Sequence, residues 1–273
     1  ADCAVITPIG LDHQEYLGSD LQSIGREKAG IIRAGRPVVC GEENPPASVL
    51  HAAAALGAPV RRLGVDFQVA ARAEGVRFSA GERVLDLPPP ALPGPHQVAN
   101  MATGIAAVLE LLPNAPDDAE GLARGLRSVE LPGRFERLAE RPTLWLDVGH
   151  NPLGAQAVAA ALGELLAEGR IRQCLCVLAM LGDKDAAGVA TELRDAVSAW
   201  YCAGTSGSRG QGAEQLAARI RDAAGASPVR RFASVGAALD AAMAEATPDD
   251  GVLVFGSFLT AAEAGRHWRG RRR

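Results

Sequence analysis

From Thr143 to Phe258 short apolar runs alternate with helix-forming stretches, and this alternation constrains the fold more than any other feature of the chain. The runs TLWLDV, QCLCVLAM, SAWYCAG, PVRRFAS and GVLVFGSF are separated by segments such as PLGAQAVAAALGELLAEG and VGAALDAAMAEA. Near-continuous apolar strands joined by helices predict an α/β fold with a mostly parallel sheet and helices on both faces, because a parallel crossover needs a long connection to bring the chain back. Ligands of such sheets sit beyond the carboxyl ends of the strands. The informative residues are therefore those just after each run: Asp147 and His150, Asp183 to Asp185, the GTSGSRG loop and Ser257.

The first half reads differently. CAVITPIGLDH is a buried strand running into a loop with Asp12 and His13, followed by a helix over SDLQSIGREKAGII. RPVVCGEENPP reads as a second strand and turn, and SVLHAAAALGA as a short helix. From PVRRLGVDFQV through GVRFSAGERVLDLPPP the short alternating runs with Gly and Pro punctuation predict antiparallel hairpins, before HQVANMATGIAAVLELL returns to helix. The change of texture places a boundary near Leu131, beside Pro132 and Gly133, which divides the chain into 1–130 and 131–273.

Composition narrows the function classes. With 48% hydrophobic and 22% charged residues in 273, the chain is ordinary for a globular protein. A net charge of −4 offers no footprint for nucleic acid, and the terminal RGRRR reads as a solvated tail. No apolar run reaches the roughly 18 to 20 residues needed to span a bilayer. The five cysteines, Cys3, Cys40, Cys174, Cys176 and Cys202, are odd in number and lack a C-x-x-C pair, which fits a reducing, cytoplasmic compartment. Cys174 and Cys176 alternate within one run, so both face one side of a strand and read as core. The chain opens on Ala1, not Met, and enters a strand almost at once, which is expected of a sequence that starts partway through a gene product or has been processed.

Several motifs admit two readings on spacing alone. LDVGHNP ends a strand and opens a helix, with Asn151 as N-cap and Pro152 at the first helical position. Asp147 and His150 there either satisfy turn hydrogen bonds or present a carboxylate and an imidazole to hydroxyls and phosphate oxygens. GTSGSRGQGAEQL reads as a flexible surface loop rather than an anion cradle, and no G-x-x-x-x-G-K-[ST] occurs in the chain. MLGDKDAAG reads as a solvated charge cluster, with a substrate contact as the alternative. In SDLQSIGREKAGII, Ser19 and Gln22 are spaced as a capping box and Gly35 can end the helix. Leu21, Ile24, Lys28 and Ile31 fall on one stripe, so Lys28 points inward and must find a partner or lose its charge. A buried salt bridge, to Asp12 or another acid, is the ordinary answer.

Taken together, GLDHQEYLGSDLQSIGREKAGII, PGPHQVANMATG, LPGRFERL, LDVGHNP, AMLGDKD and VFGSF resemble, in order and spacing, the folylpolyglutamate synthase and dihydrofolate synthase family of the Mur ligase superfamily. VVCGEENPP leans toward the bacterial bifunctional type. The resemblance implies that 1–130 is the C-terminal part of a central ATPase domain and that 131–273 is a Rossmann-like glutamate-ligase domain. It implies an ATP-dependent ligase that joins L-glutamate to dihydropteroate or to folate polyglutamates through an acyl phosphate, with Mg²⁺, acting as a monomer without nucleic acid or membrane partners. A Mur-type ligase for another carboxylate and a non-catalytic nucleotide- or amino-acid-binding module are the alternatives.

Residue by residue, the resemblance implies that His13 binds Mg²⁺ and that Lys28 carries a carbamate able to serve the metal. It implies ATP contacts at Asn100 (adenine), Arg134 (phosphate) and Asp147 (ribose). His150 and Ser257 match positions near the reacting groups and the incoming glutamate. Gly149 and Gly182 stand where the family more often has alanine, and both departures are expected to be tolerated. The family's glycine-rich P-loop, folate-binding loop and acidic metal ligand have no counterpart in these 273 residues, so the expectation is a C-terminal portion of the enzyme, inactive alone.

Overall fold

The computed structural model describes residues 1–11, 20–112 and 118–271. They form two compact units, Ala1–Glu130 and Leu131–Arg273.

The first unit is built on a parallel sheet of β1 (Ala4–Ile6), β2 (Val38–Cys40) and β3 (Val60–Arg62), in that order. Central β2 is buried on both faces. Val38 and Cys40 pack with α1 (Leu21–Ala29) and α2 (Ala47–Ala55), while Val39 packs on the opposite side with α3 (His96–Leu111). An antiparallel sheet of β4 (Gln68–Arg72), β5 (Gly75–Ala80) and β6 (Arg83–Leu87) covers the second core through Val76, Phe78, Leu85 and Leu87, and α4 (Ala119–Arg127) follows. The expectation of hairpins is met over β4–β6 but corrected at PVRRL. There β3 pairs in parallel with β2, because Val60 extends the buried sheet instead of turning back on β4.

The reading of the Lys28 helix is also corrected. Asp20 is its N-cap, accepting from the backbone N–H of Gln22 and Ser23 at 2.8 and 3.0 Å, and Ser19 lies outside the described residues. Gln22 does not close a capping box; its Oε1 accepts from the Ser48 N–H of α2. The helix ends at Ala29, ahead of Gly35. Its buried side is Ile24, Gly25 and Ala29, while Leu21, Lys28 and Ile31 are exposed. Small residues decide this orientation. A Cβ on Gly25 would lie 2.5 Å from Ser48 Oγ, so the backbone of α1 approaches α2 along Gly25 and Ala29, and the stripe of large residues is turned aside.

The second unit has a six-stranded sheet in the order β11-β10-β9-β12-β8-β7. Its strands are β7 (Glu136–Glu140), β8 (Thr143–Asp147), β9 (Cys174–Leu178), β10 (Ala199–Ala203), β11 (Val229–Phe232) and β12 (Gly251–Phe255). All pair in parallel except edge strand β7. Helices α5 (Pro152–Ala167), α6 (Ala186–Leu193) and α7 (Ala213–Ile220) pack on one face, with Cys174, Cys176 and Leu178 beneath them. Helices α8 (Val235–Glu245) and α9 (Phe258–Gly270) cover the other, over Leu175 and Val177. Alternate residues of β9 thus feed two cores, and both of its cysteines are core residues.

Chain order explains the change of face. From β8 the chain steps through β9, β10 and β11 toward one edge, then returns so that β12 slots between β9 and β8. Right-handed crossovers running in opposite directions place their helices on opposite faces, and the reversal creates a switch point at the carboxyl ends of β8, β12 and β9. At the opposite end, the fully buried Asp250 carboxylate takes Arg172, Gln173, Thr247 Oγ1 and the Thr247 N–H. Burial opposes its ionisation, but these donors, with Arg172 first, hold its pKa down to about 2.

Close strand contact at the switch point leaves no room for a side chain on Gly256. Its φ is +133°, and a Cβ would fall 2.2 Å from the Ala179 carbonyl oxygen. Gly256→Ala is therefore expected to cost about 3 kcal/mol in urea unfolding. Gly182→Ala, whose Cβ would meet nothing nearer than 3.6 Å, should stay within about 0.5 kcal/mol of the parent. Equal stabilities for the two variants would contradict this packing.

Candidate functional site

Arg134, Asp147 and His150 are brought together at the carboxyl end of β8. The LPGRF segment is stitched there by its backbone. The Val148 N–H donates to Gly133 O at 2.9 Å, and the Phe135 N–H donates to Asp147 Oδ2 at 2.9 Å. Phe135 takes φ +48°, uncommon for a bulky residue, and its ring stacks on Trp145 at 5.1 Å. The turn thus aims Phe135 into the core and leaves the adjacent Arg134 half-buried, with its guanidinium 5.4 Å from the centre of the Phe258 ring.

Asp147 is 7% exposed. Burial pushes its pKa up, opposed by the N–H groups of Gly149 and Phe135 and by the charges of Arg134 and His150. The Gly149 N–H donates to Oδ1 at 2.7 Å, so each carboxylate oxygen already holds one backbone donor and keeps only its second lone-pair direction for a ligand. His150 Nδ1 lies 3.1 Å from the Val148 carbonyl oxygen. A carbonyl only accepts, so in the neutral ring Nδ1 carries the hydrogen and Nε2 is the basic nitrogen. Asn151 caps α5 through the Gly154 N–H at 2.8 Å, with Pro152 at the first helical position. Gly149 answers a local constraint, because a Cβ there would lie 2.6 Å from the Phe255 ring.

Ser257 leaves β12, the neighbour of β8, at the same end, since Phe255 is in register with Asp147. It is 7% exposed and caps α9, its Oγ accepting from the Thr260 N–H at 3.1 Å. Its hydroxyl also meets Thr260 Oγ1 at 2.7 Å, and Thr260 Oγ1 in turn donates to Ala179 O at 2.7 Å. Hence the Ser257 proton is directed at Thr260, and in this structure the serine joins the β12 and β9 ends.

Two readings of the neighbouring loops are met only in part. In MLGDKDAAG the aspartates Asp183 and Asp185 are exposed, but the lysine between them is not. Lys184 is 7% exposed, Asp183 pairs with Arg209 (Nε 3.1 Å), and Asp185 is the N-cap of α6. The GTSGSRGQG stretch is a surface loop, exposed over Ser206, Gly207, Ser208 and Arg209, and side chains of Thr205, Arg209 and Gln211 tie it to that turn. Neither tie leaves a periodic trace in the sequence.

In the first unit, Asn100 is exposed near the start of α3, its Nδ2 donating to Gln97 Oε1 at 3.1 Å. Gln97 Nε2 meets His96 Nε2 at 2.9 Å, which leaves His96 Nδ1 buried with no hydrogen-bond partner. Burial lowers the His96 pKa, keeping the ring neutral. His96 is a site candidate that spacing alone misses; the signal was the polar His-Gln pair opening an otherwise apolar helix. Lys28 is exposed on α1, so the buried salt bridge is not found. His13, like Asp12, lies outside the described residues. Among the described residues no three His, Cys, Asp or Glu side chains converge to hold a metal. An unmodified Lys28 ammonium does not suit Mg²⁺, which takes oxygen ligands. No helix among the described residues is long and apolar enough to cross a membrane.

Comparison with known proteins bears on this arrangement. The family "Mur ligase, glutamate ligase domain" matches residues 133–258, the interval that runs from the Arg134 turn to the start of α9. The dihydrofolate synthase/folylpolyglutamate synthase of Escherichia coli is 40% identical over 263 residues, 96% of this chain and 59% of that protein. Its counterpart in Haemophilus influenzae is 36% identical over 95% of this chain and 62% of that protein. A structure of E. coli FolC in complex with DHPP and ADP superposes with a TM-score of 0.89 at 38% identity, covering 100% of this chain and 63% of that one. A Yersinia pestis bifunctional folylpolyglutamate synthase/dihydrofolate synthase complexed with AMPPNP and Mn gives 0.87 at 38% identity, over 98% and 62%. The chain spans about three fifths of the length of the curated relatives it matches. On fold, motif order and identity across nearly its whole length, it belongs to the folylpolyglutamate synthase and dihydrofolate synthase family of Mur ligases.

Proposed function

We propose that this chain supplies the glutamate-ligase domain and part of the nucleotide site of an ATP-dependent ligase that adds L-glutamate to dihydropteroate, to folate polyglutamates, or to both. The observation that carries the reading is the meeting of Arg134, Asp147 and His150 at the switch point of a parallel sheet, within the interval that matches the glutamate-ligase domain. It draws support from related structures in complex with ADP, with AMPPNP and Mn, and with L-glutamate.

A carboxylate is a poor electrophile, and transfer of the ATP γ-phosphoryl group to it supplies a leaving group for attack by the glutamate amine. The protein's share is then positioning and neutralisation of charge. Arg134 carries a fork of donors suited to phosphate oxygens. Asp147, its oxygens oriented by two backbone donors, offers its remaining lone pairs to ribose hydroxyls. His150 presents Nε2 as the basic nitrogen and can take a proton from the attacking ammonium. Ser257, the N-cap of α9, is assigned to the incoming glutamate in this reading. The adenine contact is assigned to Asn100 in this reading, and the His96 Nδ1–H, which has no hydrogen-bond partner, is a donor for a base or an adjacent oxygen.

A divalent ion, Mg²⁺ in this reading, neutralises phosphate charge when bound. His13 would hold it, together with Lys28 once carbamylated, since CO₂ addition turns the amine into an anion with oxygen donors. The exposed position of Lys28 leaves its amine open to that reaction. We place the protein in the cytoplasm as a monomer, on the scattered free cysteines and the family.

A chimera in which this chain replaces the matching stretch of the E. coli relative provides the assay. Glutamate-dependent ADP release with dihydropteroate or tetrahydrofolate is the expected result, and its absence with both would overturn the folate assignment. Within that chimera Arg134→Ala should raise the KM for ATP about tenfold or more. His150→Ala should act mainly on kcat. Lys28→Ala should lose about 10- to 100-fold in activity, with partial rescue by acetate; near-normal turnover would reduce Lys28 to a surface residue.

A further inference from the structure

The turn before β7 fixes the backbone of Arg134 but not its side chain. The Arg134 N–H donates to Leu131 O at 3.2 Å, the Gly133 N–H donates to Glu136 Oε2 at 2.8 Å, and the Phe135 N–H is anchored on Asp147. Beyond Cβ the arginine stem keeps its rotamer freedom unless something holds the guanidinium. Elsewhere in the chain carboxylates do this. Arg172 lies on Asp250, Arg209 on Asp183 and Arg231 on Glu214, and each spends N–H donors on its acid. Arg230 sits over the Tyr201 ring, 5.3 Å from its centre, yet it is also paired with Glu245.

Arg134 is held differently. Its charge is felt by Asp147, but among the described residues its guanidinium has neither a hydrogen bond nor an ion pair; its contact is the Phe258 ring, 5.4 Å from the centre. That ring is not accounted for by folding. Phe258 is the first residue of α9 and is 62% exposed, although the chain around it is fixed. Gly256 lies against the Ala179 carbonyl, Ser257 caps the helix, and Thr260 Oγ1 donates to Ala179 O. A phenyl ring left largely in water returns little of the hydrophobic gain for which such residues are buried. What its position does supply is a flat face, on a rigid helix start, against a guanidinium. A cation on an aromatic face is held by its charge and the ring quadrupole, so its in-plane N–H donors stay unspent. An acid in the same place would take some of those donors and offset the charge.

We propose that Phe258 is a positioning residue: its ring face holds the Arg134 guanidinium at the carboxyl end of β8 while leaving that group's charge and N–H donors to the phosphate oxygens of the nucleotide. The inference rests on the proposed function for the presence of that phosphate. Phe258 acts through Arg134. Leu259, next in sequence and also 62% exposed, has no ring to offer and serves as the control.

Two measurements test it. In the 273-residue protein, the side-chain Nε–H and Hδ resonances of Arg134 feel the ring current of Phe258. They should move in Phe258→Leu, stay near the parent position in Phe258→Tyr, and be unaffected by Leu259→Ala. In the chimera with the E. coli relative, AMPPNP affinity is read by calorimetry. Phe258→Leu, which keeps apolar bulk but removes the ring, should weaken binding about three- to tenfold. Phe258→Tyr should restore most of that loss, and Leu259→Ala should match the parent. Because the ring works through the guanidinium, Phe258→Leu should add no more than about twofold weakening in an Arg134→Ala background. Unmoved Arg134 resonances, Phe258→Tyr binding as weak as that of Phe258→Leu, or an equal Phe258→Leu loss with and without Arg134 would each overturn the positioning role. Binding that ignores Phe258 but falls in Arg134→Ala overturns this inference alone. Binding that is absent, or that ignores Arg134 as well, overturns the proposed nucleotide site along with it.

Discussion

The second unit depends on one topological constraint, the return of the chain that slots β12 between β8 and β9. Two parallel neighbours held in register, Phe255 to Asp147 and Phe255 to Leu178, bring three connections out at one end of the sheet. Those connections must be narrow. Gly256 lies against the Ala179 carbonyl, Gly149 against Phe255, and Thr260 is hydrogen-bonded across to β9. Such crowding fixes the polar side chains that emerge from the loops, and it places helices on both faces so that water reaches the sheet only at its ends.

Electrostatics at the two ends differ in kind. At the amino ends the buried Asp250 is saturated by donors from Arg172, Gln173 and Thr247, which leaves a closed structural knot. At the carboxyl ends, Asp147 is raised by burial and retains acceptor capacity beyond its two backbone donors, while Arg134 rests partly on an exposed aromatic ring. A site that handles anions needs fixed positive charge that is not consumed by its own framework. Arg134 meets that need from the turn before β7.

Much of this was legible in the sequence where the signal was local and repeated. The five apolar runs became parallel strands, Asn151 and Pro152 opened α5 as their types require, and Cys174 and Cys176 share a buried face. Long-range geometry was not legible. The inward lysine failed because glycine and alanine at 25 and 29 set the packing side of α1, and small residues carry little weight in a pattern of large ones. The burial of Lys184 in an otherwise exposed charged turn was not legible, because the side chains that tie that turn, Arg209, Gln211 and Arg219, lie 25 or more residues away, a separation at which spacing has no meaning. Ser257 matched a family position, yet its capping bond and its link to Thr260 appear only in three dimensions. Of the positions proposed to contact ATP, Arg134 and Asp147 converge within one unit, while Asn100 belongs to the other.

The central claim is that the carboxyl ends of β8, β9 and β12 form the ligand site of this chain. Amide chemical-shift mapping of the 273-residue protein during titration with L-glutamate, alone and with ADP, tests it most directly. Saturable shifts confined to Arg134–Phe135, Gly149–Asn151, Gly182–Lys184 and Gly256–Phe258 are the predicted result. No saturable change, or changes centred on Arg172 and Asp250 at the opposite end of the sheet, would contradict it.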